Sequence, residues 1–311
     1  MTNTQKTKDI FLSIAIPVWN RYEEVVRAVE SVGLERYHDV ELIIVDNQSE
    51  DIFWNRICFK YKNHKQIKLY RNEENIGMTR NWNKAMSFSK GDWISLLCSD
   101  DGFLDDGLVR AYNLLKSIKP PSLVIQNPNI KENQYLSSGL ETSRKINLPI
   151  ASGNFVHREC IDELGYFDER IKYSPDAEYW VRISTKFPVI LYAGYFGYFL
   201  SHNENNMWET WVKDDYIDQI MLISELNSKH MKIKKNLIKE DVQWGHYLFF
   251  VKNSIGKKQK PFKKIVNKCF PMVKKNAKGM RKLKVLELYL IWMYRVCTTK
   301  YIRSVVRRVL K

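Results

Sequence analysis

The sequence predicts an α/β fold built on a mostly parallel sheet, and three observations predict it. Between residues 11 and 126, short apolar runs alternate with segments whose apolar residues recur at helical spacing. The apolar runs are continuous, the pattern of strands covered on both faces. Three of them lead into segments with polar residues, Trp19-Asn20, Asp46-Asn47 and Ser99-Asp100-Asp101. In open sheets of this kind, ligands bind at the carboxyl ends of the strands.

Residues 11–18 (FLSIAIPV) read as the first buried strand, closed by Pro17 at its exit, and residues 22–32 as a helix. Residues 41–45 (ELIIV) give a second strand ending at Asp46, followed by a helix over 52–61. A short strand is expected over 67–70, then a helix over 78–88 entered through Asn75-Ile76-Gly77. Residues 93–98 give the next strand and 104–118 the next helix, stopped by Pro120-Pro121. A strand resumes over 123–126. Beyond it the pattern loosens. Residues 131–150 read as a long loop, 155–164 and 176–187 as helices, and 189–200 as an aromatic-rich strand.

The 311 residues are 44% hydrophobic and include nine Trp and seventeen Tyr, which supports a real core and argues against disorder. No run of about 18 apolar residues exists, so no spanning helix is expected. Residues 1–9 lack the apolar segment of a signal peptide. Five scattered cysteines without a Cys-x-x-Cys pair argue against a disulfide framework or zinc site and fit a reducing cytoplasm.

The net charge of +15 is unevenly placed. Residues 230–311 carry 23 Lys and Arg against 3 Asp and Glu, whereas residues 1–229 carry 27 against 32. This shift divides the chain into a first domain, 1–210, and a basic helical region, 211–311. A nucleic-acid partner is not expected, because the charge is confined to the tail and no stacking or helix-turn-helix signature accompanies it.

A dinucleotide site requires a glycine-rich turn after the first strand. The segment here, Pro17-Val18-Trp19-Asn20-Arg21, has no glycine. Asp100 and Asp101 would oppose a bound diphosphate, so the layout calls for a metal. Adjacent carboxylates with no basic partner nearby suit Mg2+ or Mn2+, which accept substrate phosphate oxygens as further ligands. Each acid also has a structural reading, since Asp46, Asp100, Asp101 and Asp176 are all candidates to cap helices.

Six segments occur in a telling order: Ile14-Ala-Ile-Pro-Val-Trp-Asn20, Ile43-Ile-Val-Asp-Asn-Gln-Ser49, Asn75-Ile-Gly-Met-Thr-Arg-Asn81, Leu97-Cys-Ser-Asp-Asp101, Gly165-Tyr-Phe-Asp168 and Asp176-Ala-Glu-Tyr-Trp-Val-Arg182. This set, covering roughly residues 10–205, resembles the inverting nucleotide-sugar glycosyltransferases of family 2. The resemblance implies the GT-A fold, a Rossmann-like sheet flanked by helices, and a bacterial enzyme of surface-glycan synthesis. It implies that Pro17, Trp19 and Asn20 shape the base pocket, that Asp46 accepts from the uracil ring, and that Asn75 and Arg80 flank the nucleotide. Asp100 would lie near the ribose, Asp101 and His202 would serve the Mn2+ or Mg2+ ion, and Asp176 would be the general base, with Glu178 next in line.

Two positions depart from the family pattern. Cys98 and Pro175 stand where acids are common, which leaves a catalytically silent scaffold as one competing reading, beside the basic nucleic-acid-binding protein that the high net charge alone would suggest. The implied partners are a UDP-sugar donor and a glycan or polyprenyl- or lipid-linked saccharide acceptor, and an oligomer is compatible with them. Residues 283–311 mix Leu, Ile, Val, Trp and Tyr with Lys and Arg. They suit an interfacial helix on an anionic membrane, placing the protein at the inner face of the plasma membrane, or else a terminal helix packed on the first domain.

Overall fold

The computed structural model describes residues 11–137, 151–199 and 215–230. The chain divides into two compact units, Met1–Ser201 and His202–Lys311. In the first, strands β1 (Leu12–Val18), β2 (Val40–Asp46) and β3 (Ile67–Arg71) alternate with helices α1 (Tyr22–Val32), α2 (Asp51–Tyr61) and α3 (Met78–Phe88). Then come β4 (Trp93–Leu96), β5 (Asp101–Phe103), α4 (Gly107–Ser117), β6 (Leu123–Gln126) and β7 (Gln134–Leu136). The unit continues with β8 (Phe155–His157), α5 (Arg158–Leu164), α6 (Asp176–Ser184), β9 (Val189–Tyr192) and β10 (Gly197–Phe199). In the second unit the described element is α7 (Tyr216–His230), which buries Ile220, Ile223 and Leu226 at helical spacing.

The main sheet has the order β3-β2-β1-β4-β8-β6-β9-β7. Its strands are parallel except β8, antiparallel to both β4 and β6, and β7, antiparallel to β9. The continuous apolar runs have the expected cause. In β1 and β2, Ile14, Ile16, Leu42 and Ile44 pack toward Val25, Ala28 and Val29 of α1 on one face. Ala15, Ile43 and Val45 pack toward Ala85 and Met86 of α3 on the other. Alternate residues face opposite ways, so a strand covered twice must be apolar throughout.

Pro17 sits inside β1 without costing a ladder bond. The Ala15 carbonyl accepts from Leu97 N on the β4 side at 2.9 Å. Pro17, two residues on, faces the same side, but the β4 ladder has already ended at the Ala15–Leu96 pair.

Several expected boundaries move. Residues 155–157 do not begin a helix but form β8, because Val156 pairs with both Ile94 and Leu123. The helix expected from 104 starts at Gly107, since residues 101–103 are drawn into a two-stranded sheet with β10. Within the expected 131–150 loop, β7 forms against β9; residues 138–150 lie outside the described set. The strand expected over 189–200 breaks into β9 and β10, and the helix expected to 187 ends at Ser184.

Candidate active site

The chain runs from β1 outward through β2 to β3, then returns to place β4 on the other side of β1. The direction of winding therefore reverses between β1 and β4, and in open sheets of this kind the carboxyl ends at that point are where ligands bind. After β1 the backbone turns at Asn20, whose φ of 51° lies in the left-handed region that asparagine tolerates. Asn20 N donates to Ser49 Oγ and Asn20 Oδ1 accepts from Glu50 N, both at 2.8 Å. The turn leaves Trp19 54% exposed at the rim, as an aromatic face for a planar ligand.

Asp46, the last residue of β2, is fully buried. Its carboxylate accepts from Ser49 N at 3.1 and 3.3 Å and from Ser49 Oγ, and Arg71 Nε lies 3.1 Å away. Burial raises its pKa, and the Ser49 and Arg71 contacts pull it back down. Asp46 therefore braces the Asn20–Ser49 turn from beneath rather than lining a surface. Asn75 joins through an amide relay: its Oδ1 accepts from Asn47 Nδ2 at 2.9 Å, and Asn72 Nδ2 bonds Asn47 Oδ1 and Asn81 Oδ1. Such side chains are buried at low cost only when they bond one another.

Beyond β4, the Cys98 Sγ and carboxylate oxygens of Asp100 and Asp101 lie within 4.8 Å of one another. The expectation of no basic partner is overturned, because the Arg21 guanidinium is paired with Asp100. Folding brings β1 and β4 side by side, so residues 79 positions apart meet. Asp101 Oδ2 accepts instead from Ser152 Oγ at 2.5 Å, and Ser152 Oγ accepts from Cys98 N at 2.9 Å. Burial raises the Cys98 thiol well above its ordinary pKa. Asp101, Asp100 and Asp176 push it further. The donor set, two carboxylates and one thiol, fits a divalent cation of the Mn2+ or Mg2+ kind held chiefly through oxygen.

Asp176 opens α6 and is 4% exposed. Burial pushes its pKa up to about 7, although the backbone N–H groups of Asp176 and Ala177 favour the charged form. Its place is set by a scaffold of hydrogen bonds. Arg182 bonds the buried Glu178 at 2.8 and 3.1 Å and the Tyr166 carbonyl at 2.7 Å, fixing α6 to the preceding turn. Asn83 of α3 exchanges bonds with the Phe167 backbone at 2.9 and 3.0 Å, and Thr79 bonds the Ile171 carbonyl.

The structure thus gathers Trp19, Asn20, Asp46, Asn75, Asp100, Asp101 and Asp176 around the ends of the parallel strands. Arg80 is elsewhere engaged, pairing with Glu169 at 3.1 Å on the surface. His202 lies outside the described residues; β10, which precedes it, pairs Phe199 with Asp101. Three site residues were not singled out from sequence. Arg21 had a signal, as the sole basic residue in the strand-end segments quoted above. Ser152 and Gln126 had none. Gln126 Nε2 donates to the Ser152 carbonyl at 2.9 Å, and its Oε1 accepts from Phe196 N at 2.7 Å and Gly197 N at 3.2 Å.

The family model described as "Glycosyl transferase family 2" matches residues 13–155, from β1 to the start of β8. Over this segment, a little under half of the chain, the protein is similar to family 2 glycosyltransferase domains. An uncharacterized glycosyltransferase of Haemophilus influenzae is 33% identical over 119 residues, 38% of this chain and 36% of that protein. A Campylobacter jejuni relative named GalNAc(5)-diNAcBac-PP-undecaprenol beta-1,3-glucosyltransferase is 24% identical over 55% of this chain and 59% of its own length. The chain thus spans less than two thirds of the length of these curated relatives. The glycosyltransferase fold is also that of Staphylococcus aureus TarS 1-349, crystallised with UDP-GlcNAc, with a TM-score of 0.63 and 15% identity. That likeness covers 94% of this chain and 87% of that one, and places the unit in the GT-A fold.

Proposed function

We propose that the protein is an inverting, metal-dependent glycosyltransferase that moves a hexose or N-acetylhexosamine from a UDP-sugar to a hydroxyl of a lipid-linked saccharide. The observation that carries this reading is a pair of unlike acidic groups. Ligand atoms of Cys98, Asp100 and Asp101 lie within 4.8 Å of one another, and the buried Asp176 adds its charge to the field at the Cys98 thiol. One is chemistry for a cation; the other is a carboxyl tuned toward neutral pH, as a general base requires. The undecaprenol-linked acceptor in the Campylobacter relative's name supports the acceptor class, and UDP-GlcNAc bound to TarS supports the donor class.

In this mechanism Trp19 and the Asn20 turn seat the base, with Asp46 holding their floor through Ser49. Asp100 would face the ribose and Asp101, in company with Cys98, would hold the cation, which when bound would supply positive charge to offset that of the diphosphate leaving group. Asp176 accepts the proton of the acceptor hydroxyl as it attacks the anomeric carbon from the far side. Single displacement inverts that centre, and positioning supplies much of the remaining acceleration. The basic tail would hold the domain at an anionic membrane carrying the acceptor.

The test is transfer from UDP-sugars to an undecaprenyl-linked saccharide in the presence of Mn2+, for the parent and Asp101→Ala. Asp101→Ala should lose metal-dependent turnover while its thermal midpoint stays near the parent's. Unchanged turnover in the purified variant sinks the assignment.

A further inference from the structure

Asp100 and Asp101 are chemically identical and adjacent, yet the fold treats them differently. Asp101 shares its oxygen with Ser152, a neutral hydroxyl. Asp100 receives a full guanidinium charge from Arg21. The Arg21 backbone is pinned on both sides: Asn20 before it is bound to Ser49 and Glu50, and its own carbonyl accepts from Val25 N at 3.0 Å in the first turn of α1. Its side chain is 29% exposed and that of Asp100 25%, so the pair is only partly screened by water. An arginine fork reaching a carboxylate from a fixed backbone is a held geometry, not a chance surface contact.

Resting on the proposed site, we infer that Arg21 is a positioning residue that makes cation capture conditional on the nucleoside diphosphate. The argument is one of charge. A cation approaching Asp101 from solvent meets a positive guanidinium on the neighbouring carboxylate, and the site's net negative charge is one unit smaller than its two acids suggest. Arg21 thus weakens cation binding to the donor-free protein. A diphosphate brings its own negative charge, offers oxygens to the cation and gives the guanidinium a second anionic partner suited to its fork. Donor and cation then bind together more tightly than either binds alone, and thermodynamic reciprocity requires each to strengthen the other equally.

The inference makes a prediction of opposite signs. In Arg21→Gln, Mn2+ should bind the donor-free protein about tenfold more tightly, the order expected of one unit charge a few ångströms away at a partly exposed site. The same variant should bind UDP more weakly, and the gain in Mn2+ affinity on adding UDP should shrink. Arg21→Lys keeps the charge and should keep the parent's weak donor-free Mn2+ binding. Mn2+ affinity is read by electron paramagnetic resonance or calorimetry with and without UDP, and thermal melting checks that each variant is folded. A role confined to holding the fold predicts weaker Mn2+ binding in Arg21→Gln, not tighter. Equal donor-free Mn2+ affinity in Arg21→Gln, Arg21→Lys and the parent overturns the inference while leaving the site reading intact. Failure of the parent to bind Mn2+ or UDP under any of these conditions overturns both.

Discussion

At the scale of single residues, the most consequential feature is a carboxyl group placed where its charge is expensive. Asp176 has a pKa raised from 3.8 to about 7 by burial, and in the proposed mechanism this links catalysis to stability. Transfer should rise with pH through about 7 as the base form appears. Stability should move the other way. Between about pH 4 and 7 the folded state retains a proton that the unfolded state has released, so stability falls as pH rises and levels off above 7. Asp176→Asn removes the charge. It should lower transfer by about two orders of magnitude or more, leave donor binding in place, and melt higher than the parent at pH 8 but not at pH 4. Rate–pH profiles and melting curves on the same two proteins check all three. Asp46, Asp100 and Asp101 were legible in sequence because strand ends announce themselves, whereas Asp176, at the start of a helix, was reached only through the family resemblance. Their partners were not: Arg21 meets Asp100 and Ser152 meets Asp101 across 79 and 51 positions, and no local pattern encodes such distances.

At the scale of elements, the boundaries that sequence misplaced are the ones that build the site. Residues 101–103 follow a turn directly before a helical pattern, and only pairing with β10 makes them a strand. Phe155–His157 have strand chemistry, but their antiparallel insertion between β4 and β6 depends on partners far along the chain. The strands and helices between residues 12 and 88 were legible because their periodicity is local and doubly covered strands are apolar throughout. Close backbone approach explains why Gly107 opens α4. A Cβ there would lie 1.7 Å from the Phe196 carbonyl oxygen, which accepts from Leu104 N at 2.9 Å. Gly107→Ala should therefore destabilise the protein by about 3 kcal/mol, the upper range for overpacking against an unyielding group, and displace β10 from β5. Chemical denaturation measures the first effect, and loss of Mn2+ binding reports the second.

At the scale of the whole molecule, charge separates along the chain: net acidic before residue 230 and strongly basic after it. Among the described residues no helix is long and apolar enough to cross a membrane, so the basic segment is the feature that proposes attachment. Each Lys or Arg near an anionic surface contributes about 1 kcal/mol. The full chain should sediment with anionic vesicles, less so at high salt. Replacing the nine Lys and Arg between residues 281 and 311 with Gln should weaken retention by at least tenfold. Equal retention of both proteins rejects the attachment. The site itself is spread over two sheets, and one amide spans them. Gln126 ends β6 in the large sheet, yet it grips the Ser152 loop with one atom and the start of β10 with the other. Gly153 stays small for this grip, since a Cβ there would come within 2.7 Å of Gln126 Nε2. A pull on β10 is therefore also a pull on Ser152, and through it on the oxygen of Asp101. The strand that closes the first unit and the carboxylate proposed to hold its cation answer to the same lever.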